Sequence, residues 1–508
     1  MRVWSSITRT LFGVSRDRRG GVATFLAATV IPLVAFVGLA VDTGRGYLMK
    51  TRLNYALDAA ALAGGRVMFD AAARDAAVDK FFNANFPTGY MGATITGPIA
   101  TINTIDQTLK LDATANMDTS LMTVLGVDDM NVAASTEVQR QIKGMELALV
   151  LDITGSMRNT APGSSQSKLL DLKDAATKLV DVLYAGRDEI DDFYMAVVPY
   201  TASVNIGTAH IGWLITPADT QTPGEDPLGY DPVSAYVASD YNPTTWKGCV
   251  EARHTGSRDR NDDPPSVEKF YPHFWPSDIG YSPSNERKNP WNTSNINEIN
   301  DENGLGPNLN CGEPIVPLVK PRATIDTAIA GLDWWRFGGT MGSQGISWGW
   351  RAISPRWRGL WVGAEDSDLP KDYFDDLLAA GEPLSDKAII VMTDGQNNIV
   401  YDSGALDDGH YTSYGKPDWN RLGTTSNNGI KGEINDRMLE TCALMKAEDI
   451  IIYTITFDTE GSSNQAIRDT YEDCATTPSH YFNSPGEEEL TAAFVAIGTQ
   501  LSNLRLAK

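Results

Sequence analysis

Leu147-Ala148-Leu149-Val150-Leu151-Asp152-Ile153-Thr154-Gly155-Ser156-Met157 is the stretch on which the fold turns. Its apolar run does not alternate with polar residues, which predicts a strand buried on both faces in a parallel sheet. The run ends in an acid and two hydroxyls at alternate positions, Asp152, Thr154 and Ser156, followed by a polar loop and the helical pattern of Lys168 to Tyr184. Donors so spaced converge above the carboxyl edge of an open sheet, where α/β folds place their ligand sites. Asp and Ser also cap helices, so the motif alone leaves that plainer reading open. Two later segments repeat the arrangement. Arg336-Phe337-Gly338-Gly339-Thr340 carries a hydroxyl on a glycine-rich turn before a helix, and Ala388-Ile389-Ile390-Val391-Met392-Thr393-Asp394-Gly395 is a second buried strand ending in an acid. Oxygen donors alone suit Mg²⁺, Mn²⁺ or Ca²⁺ rather than zinc.

The flanking chain supplies the other elements of such a fold. Phe193 to Tyr200 reads as a strand, with an antiparallel edge strand expected near Ala202 to Ile206. A helix around Leu439 to Ala447 precedes the strand Ile450 to Phe457, and His480-Tyr481-Phe482 opens a last strand before the helix Glu487 to Leu504. Two insertions interrupt this order, at about residues 207–320 and 399–430. The first is rich in Pro, Asn, Asp and aromatics, and its cysteines favour an ordered lobe over a disordered loop. Of the four cysteines none forms a Cys-x-x-Cys pair, which leaves zinc ribbons and thioredoxin chemistry without support. In an oxidising compartment the expected bonds are Cys249–Cys311 and Cys442–Cys474, each contributing roughly 3–4 kcal/mol by the chain-entropy model. Trp334, Trp335, Trp348, Trp350, Trp357 and Trp361 lie near Thr340 in sequence; packing of the insertion is the plain reading and a partner surface the sharper one.

Far upstream, Val22 to Val41 is apolar and uncharged. As a helix it spans about 30 Å, the thickness of a bilayer core. Arg2, Arg9, Arg16, Arg18 and Arg19 precede it against the single acid Asp17, which keeps the N-terminus in the cytoplasm and sends the rest outward. The run exceeds the apolar core of a cleaved signal, and Asp42 to Val67 continues as a helical pattern with Leu53, Leu57 and Ala61 at four-residue spacing. From about Ala71 to Met145 a short helix leads into alternating runs such as Thr108 to Ala113 and Val132 to Val138, the signature of half-buried antiparallel strands. The expected plan is a basic segment at 1–21, a membrane-spanning and rod-like helix at 22–68, a small α+β spacer at 69–144, and an α/β domain at 145–508.

Two resemblances attach to these strings. Arg18-Arg19-Gly20-Gly21, the apolar span, Val41-Asp42-Thr43-Gly44-Arg45 and Leu57-Asp58-Ala59-Ala60-Ala61-Leu62-Ala63-Gly64 resemble the N-terminal region of TadG-like proteins of the Flp, or tight-adherence, pilus system. Phe25 or Leu26 stands where prepilin processing wants a Glu, so the resemblance does not extend to that cleavage. Asp152, Thr154, Ser156, Thr340 and Asp394 resemble the metal-ion-dependent adhesion site of von Willebrand factor type A domains, with Thr154 where that family usually has Ser. The Trp-Gly-Trp-Arg string at 348–351 is similar to the A domains of TadG-like proteins. The resemblance implies a Rossmann-like, mostly parallel sheet flanked by helices. It also implies a divalent cation, Mg²⁺ first with Ca²⁺ or Mn²⁺ as alternatives, that completes its coordination with an acidic side chain of a partner protein.

The expected function is therefore a single-pass protein of the bacterial inner membrane that binds pilus-assembly or envelope components and is not an enzyme. An adhesin or scaffold unrelated to pili is the alternative, and a metal-dependent hydrolase a weaker one. Nucleic acid is excluded as a partner by a net charge of −23, since no basic surface is available to neutralise phosphates. The five histidines form no metal-binding spacing, and no nucleophile elbow or phosphate-binding loop is present.

Overall fold

The computed structural model describes residues 21–68, 71–103, 108–139, 144–215, 246–254, 256–275, 277, 289–291, 294–300, 303–374, 376, 379, 385–399 and 411–506. The basic residues before the span, and residues 216–245, 278–288 and 400–410 of the expected insertions, lie outside these. The chain divides into two compact units, Met1–Ile142 and Lys143–Ala507.

In the first unit α1 (Gly21–Arg66) is one unbroken helix that passes through Pro32. Its Ala28–Arg66 stretch is the one described helix long and apolar enough to cross a membrane. After α2 (Ala71–Asn85) come β1 (Thr94–Asn103), β2 (Thr108–Asp118) and β3 (Asp129–Gln139), an antiparallel sheet in the order β1-β2-β3. Leu109, Leu111, Ala113, Ala115 and Met117 alternate to one face of β2 and bury Met49, Leu53, Ala56, Leu57 and Ala60 of α1. The four-residue spacing seen in the sequence is this covered stripe.

The second unit is a mixed α/β body. Its chain runs β4 (Gly144–Asp152), α3 (Lys168–Tyr184), β5 (Phe193–Tyr200), β6 (Val204–Asn205), β7 (Cys249–Val250), β8 (Val316–Val319), α4 (Arg322–Gly331), α5 (Gly342–Ile353), β9 (Ser385–Thr393), α6 (Asn427–Ala447), β10 (Ile451–Phe457), α7 (Gln465–Cys474), β11 (Tyr481–Ser484) and α8 (Glu487–Leu506). Six strands form one sheet in the order β11-β10-β9-β4-β5-β8. All neighbours are parallel except β8, which runs antiparallel to β5. Leu147, Leu149 and Leu151 face α3, α4 and α8, while Ala148 and Val150 face α5, α6 and α7. Burial on both faces is why β4 reads as a continuous apolar run.

Three details differ from the sequence expectation. The antiparallel edge strand is β8, not the segment at Ala202 to Ile206; there, β6 pairs with β7 in a separate two-stranded ribbon. Thr201 holds that segment off the sheet: its hydroxyl donates to the Asn310 and Ser203 carbonyls. Pro317 obscured β8 as a strand, yet proline is tolerated on a sheet edge. α6 begins at Asn427, well before Leu439, with Ser426 as its N-cap accepting from the Gly429 N–H at 3.1 Å. Finally, the tryptophans separate: Trp348, Trp350, Trp357 and Trp361 are buried on the α5 face, joined by Trp213, whereas Trp334 and Trp335 pack toward the opposite face.

Both disulfides form, Cys249–Cys311 with Cα atoms 5.6 Å apart and Cys442–Cys474 with 5.3 Å. The second ties α6 to the end of α7.

α5 approaches the sheet through glycines. A Cβ on Gly345 would stand 2.7 Å from the ring of Tyr200, and one on Gly349 2.5 Å from Val150. Alanine at 345 gains up to about 1 kcal/mol of helix propensity, but overpacking costs about 1–3 kcal/mol. The Tyr200 ring is fully buried and cannot withdraw. Gly345→Ala should therefore lower stability by up to about 2 kcal/mol in urea denaturation.

Candidate metal centre

Asp152 leaves the carboxyl end of β4, and Asp394 follows the end of β9 on the neighbouring strand. The register that pairs Leu151 with Met392 sets the two acids at the same sheet edge. Asp152 is completely buried. Its Oδ1 accepts the Thr154 N–H at 2.9 Å, which bends the chain just past the strand. Its Oδ2 accepts the Thr393 hydroxyl at 2.8 Å and that of Tyr200 at 3.4 Å. Thr154 Oγ1 and Ser156 Oγ stand 3.2 Å apart, and Ser156 donates to Asp394 Oδ1 at 2.6 Å. Four of the five sequence-predicted donors thus lie in one hydrogen-bonded cluster.

Thr340 reaches the same edge through its backbone. The Trp335 N–H donates to Ile153 O at 2.8 Å, and the Thr340 N–H to Asn398 O at 3.0 Å. The loop from 335 to 340 is thereby stitched between the turns that follow β4 and β9. Gly338 and Gly339 hold φ of 95° and 89°, and a Cβ on Gly339 would strike Asn398 O at 2.2 Å. Only glycine allows that approach. The Thr340 hydroxyl takes no part in the hydrogen bonds that join the other four donors.

The structure adds two residues that the sequence reading passed over. Lys168, the first residue of α3, sends its Nζ to Asp394 Oδ2 at 3.1 Å and to Asp458 Oδ2 at 2.8 Å. Asp458 directly follows β10, so a third neighbouring strand also ends in an acid. That repetition was visible in the sequence; the reach of Lys168 from a helix start was not.

Three acids and one ammonium leave this edge electronegative. Burial, and then the neighbouring Asp394 charge, push the Asp152 carboxyl up from 3.8 to about 7. Burial also raises Asp394, with the Lys168 ammonium opposing it. Groups so perturbed favour either a proton or a cation. The donor chemistry fits a hard divalent cation: carboxylates and hydroxyls only, with histidine and thiolate absent from the cluster. Among the described residues no group of three or more His, Cys, Asp and Glu side chains that could hold a metal occurs.

Comparison with known proteins gives two kinds of likeness. Residues 20–67 match the family described as "Putative Flp pilus-assembly TadE/G-like". No curated protein matches the chain. Among solved structures, the vWF domain of the type V pili tip protein Mfa5 from Porphyromonas gingivalis is 10% identical with a TM-score of 0.34, covering 72% of this chain and 97% of that one. The PilB minor pilin from Streptococcus sanguinis is 10% identical with a TM-score of 0.33, covering 81% and 77%. The pilus adhesin SpaC from Lactobacillus rhamnosus GG is also 10% identical, with a TM-score of 0.33, covering 81% and 34%.

Two outcomes follow from the electrostatics. A carboxyl raised on folding makes the native state bind the extra proton, so stability is greatest below the unfolded value and falls as pH rises through the folded one. In EDTA the melting temperature should decline between about pH 4 and 7, and Asp152→Asn should flatten that decline. Separately, Lys168→Met removes the one cation among these acids. It should destabilise the cation-free protein toward the lower end of about 3–5 kcal/mol, since Asp458 keeps access to water, as read by denaturant titration.

Proposed function

We propose that this chain is a membrane-anchored, non-enzymatic component of tight-adherence pilus assembly, and that it grips a partner protein through a divalent cation. The observation that carries the reading is the hydrogen-bonded cluster of Asp152, Thr154, Ser156 and Asp394 at the sheet's carboxyl edge, in a chain whose residues 20–67 match a pilus-assembly family. In this reading the second unit is a von Willebrand A-like domain with insertions, and α1 anchors the chain in the inner membrane with its N-terminus in the cytoplasm.

Asp152, Thr154, Ser156, Thr340 and Asp394 would hold the ion, Mg²⁺ being the best match to a compact oxygen set. When bound, it supplies a Lewis-acidic contact for a carboxylate from the partner. The chain's own residues do the rest. Thr393 and Tyr200 fix the Asp152 carboxylate from below. Lys168 draws one oxygen of Asp394 aside, leaving the other toward Ser156. The hydroxyls offer donors without charge, so the ion keeps its appetite for an external acid.

Membranes solubilised in mild detergent and passed over immobilised wild-type protein should release a discrete set of bound proteins on addition of EDTA, and excess Mg²⁺ should restore it. Asp394→Asn should retain native circular dichroism yet recover at least about tenfold less of that set, the scale on which metal-site substitutions weaken binding. A bound set indifferent to both treatments would rule the cation bridge out.

A further inference from the structure

The Asp42-Thr43-Gly44-Arg45 string has no part in the candidate metal centre, yet Asp42 is completely buried. Its carboxylate accepts the backbone N–H groups of Ser120, Leu121 and Met122, each at 2.9 Å, and Arg45 donates to it at 3.3 Å. These amides belong to the hairpin tip between β2 and β3. Gly38, one helical turn earlier, lies against Leu121: a Cβ there would stand 2.9 Å from Leu121 Cβ. The tip is thus fastened to α1 at Gly38 and Asp42, where the apolar span 22–41 ends.

The tip itself is apolar and closed by its own hydrogen bonds. From Thr119 to Val127 it holds no charge. Thr119 donates through its N–H to Asp128 O at 3.0 Å, and Val127 donates to Met122 O at 3.2 Å. Val124 is 69% exposed, Leu125 50% and Val127 39%. Three large aliphatic side chains on a well-tied turn is an unusual surface for water. Asp128 and Asp129, both exposed, mark where the apolar stretch stops.

The rest of the sheet fixes the tip's height along the helix. Gly46 faces Met130 and Gly65 faces Val138, so β3 runs beside α1 in the same direction. That is about 28 Å along the helix and about 27 Å along the strand. Before Gly38 most of the described side chains are exposed, Phe25 at 72% and Phe36 at 74%. Exposed helix gives way to covered helix at the hairpin tip.

We propose that the β2–β3 hairpin tip is a second membrane-contacting element, with Val124, Leu125 and Val127 entering the outer lipid interface beside the anchor. The occupant is the bilayer, argued from continuity with the exposed apolar span to which the tip is bound. Entry is apolar and shallow: Asp118, Asp128 and Asp129 stay at the headgroups, and no basic cluster draws the tip to anionic lipid. This rests on α1 being a membrane anchor.

The test uses the full chain in phosphatidylcholine vesicles. All four native cysteines are paired, so Val124→Cys, Leu33→Cys and Glu137→Cys each introduce a single reactive thiol for an environment-sensitive fluorophore. Nitroxide lipids labelled near the headgroup or deep in the acyl chain serve as quenchers. The Val124 probe should emit blue-shifted and lose most of its emission to the shallow nitroxide, the Leu33 probe to the deep one, and the Glu137 probe to neither. Quenching at Leu33 with a Val124 probe that behaves like Glu137 would leave the anchor standing and overturn the proposal. A Val124 probe that is blue-shifted yet unquenched would mean that protein covers the tip, which also overturns it. No quenching at Leu33 would instead remove the anchor reading itself.

Discussion

Two carboxyls set side by side at the ends of neighbouring parallel strands, and taken out of water, are the constraint around which the second unit is arranged. Asp152 is fully buried and Asp394 nearly so. Neither can be left charged without compensation, because desolvating an ion costs far more than any single hydrogen bond returns. The surroundings answer in kind. Thr393, Tyr200 and the Thr154 amide point donors at Asp152, and Ser156 and Lys168 do so at Asp394. Tyr200 also donates to Met392 O, so the same ring braces β5 against β9 across the strand between them. The close approach of α5 at Gly345 is fitted to that ring. Electrostatic demand at one edge thereby reaches into the packing of a helix.

How much of this was legible beforehand follows from the range of each interaction. β4, β5 and β9 were readable because a strand buried on two faces reads as a near-continuous apolar run, and the acids that close β4 and β9 stand out against it. The clustering of Asp152, Thr154 and Ser156 needed only the local turn. Lys168 was invisible because a lysine at a helix start is ordinarily a solvated cap neighbour, and its role depends on where β9 and β10 end. Thr340 was found as a residue type on a glycine turn, whereas its position depends on backbone pairing with Ile153 and Asn398 across long separations. β8 was missed for a related reason: with four residues and a proline, nothing local distinguishes it from a loop, and only its pairing with β5 makes it a strand.

The first unit obeys a different rule. Glycine in a helix costs about 1 kcal/mol relative to alanine, yet α1 carries Gly38, Gly46, Gly64 and Gly65 at positions where a Cβ would meet Leu121, Met130, Val78 and Val138. Each allows a second element to lie close against the helix. The small-residue string that resembles a pilus-assembly family thus has a direct packing meaning: it is the track on which the sheet and α2 rest. Before Gly38 the described large side chains, Phe25, Leu26, Leu33 and Phe36 among them, are exposed.

The two units also differ in how they treat a buried acid. Asp42 is satisfied completely: three amides and one guanidinium surround it, and its geometry is that of a fixed joint. Asp152 and Asp394 are satisfied by neutral donors and by a single ammonium that is shared with a third acid. A fully satisfied carboxylate has nothing left to offer a ligand. A carboxylate pair held at a charge deficit, with hydroxyls rather than further cations beside it, retains an electrostatic preference for one more positive charge. That asymmetry, rather than the mere presence of buried acids, is what separates the structural joint from the candidate binding site in this chain.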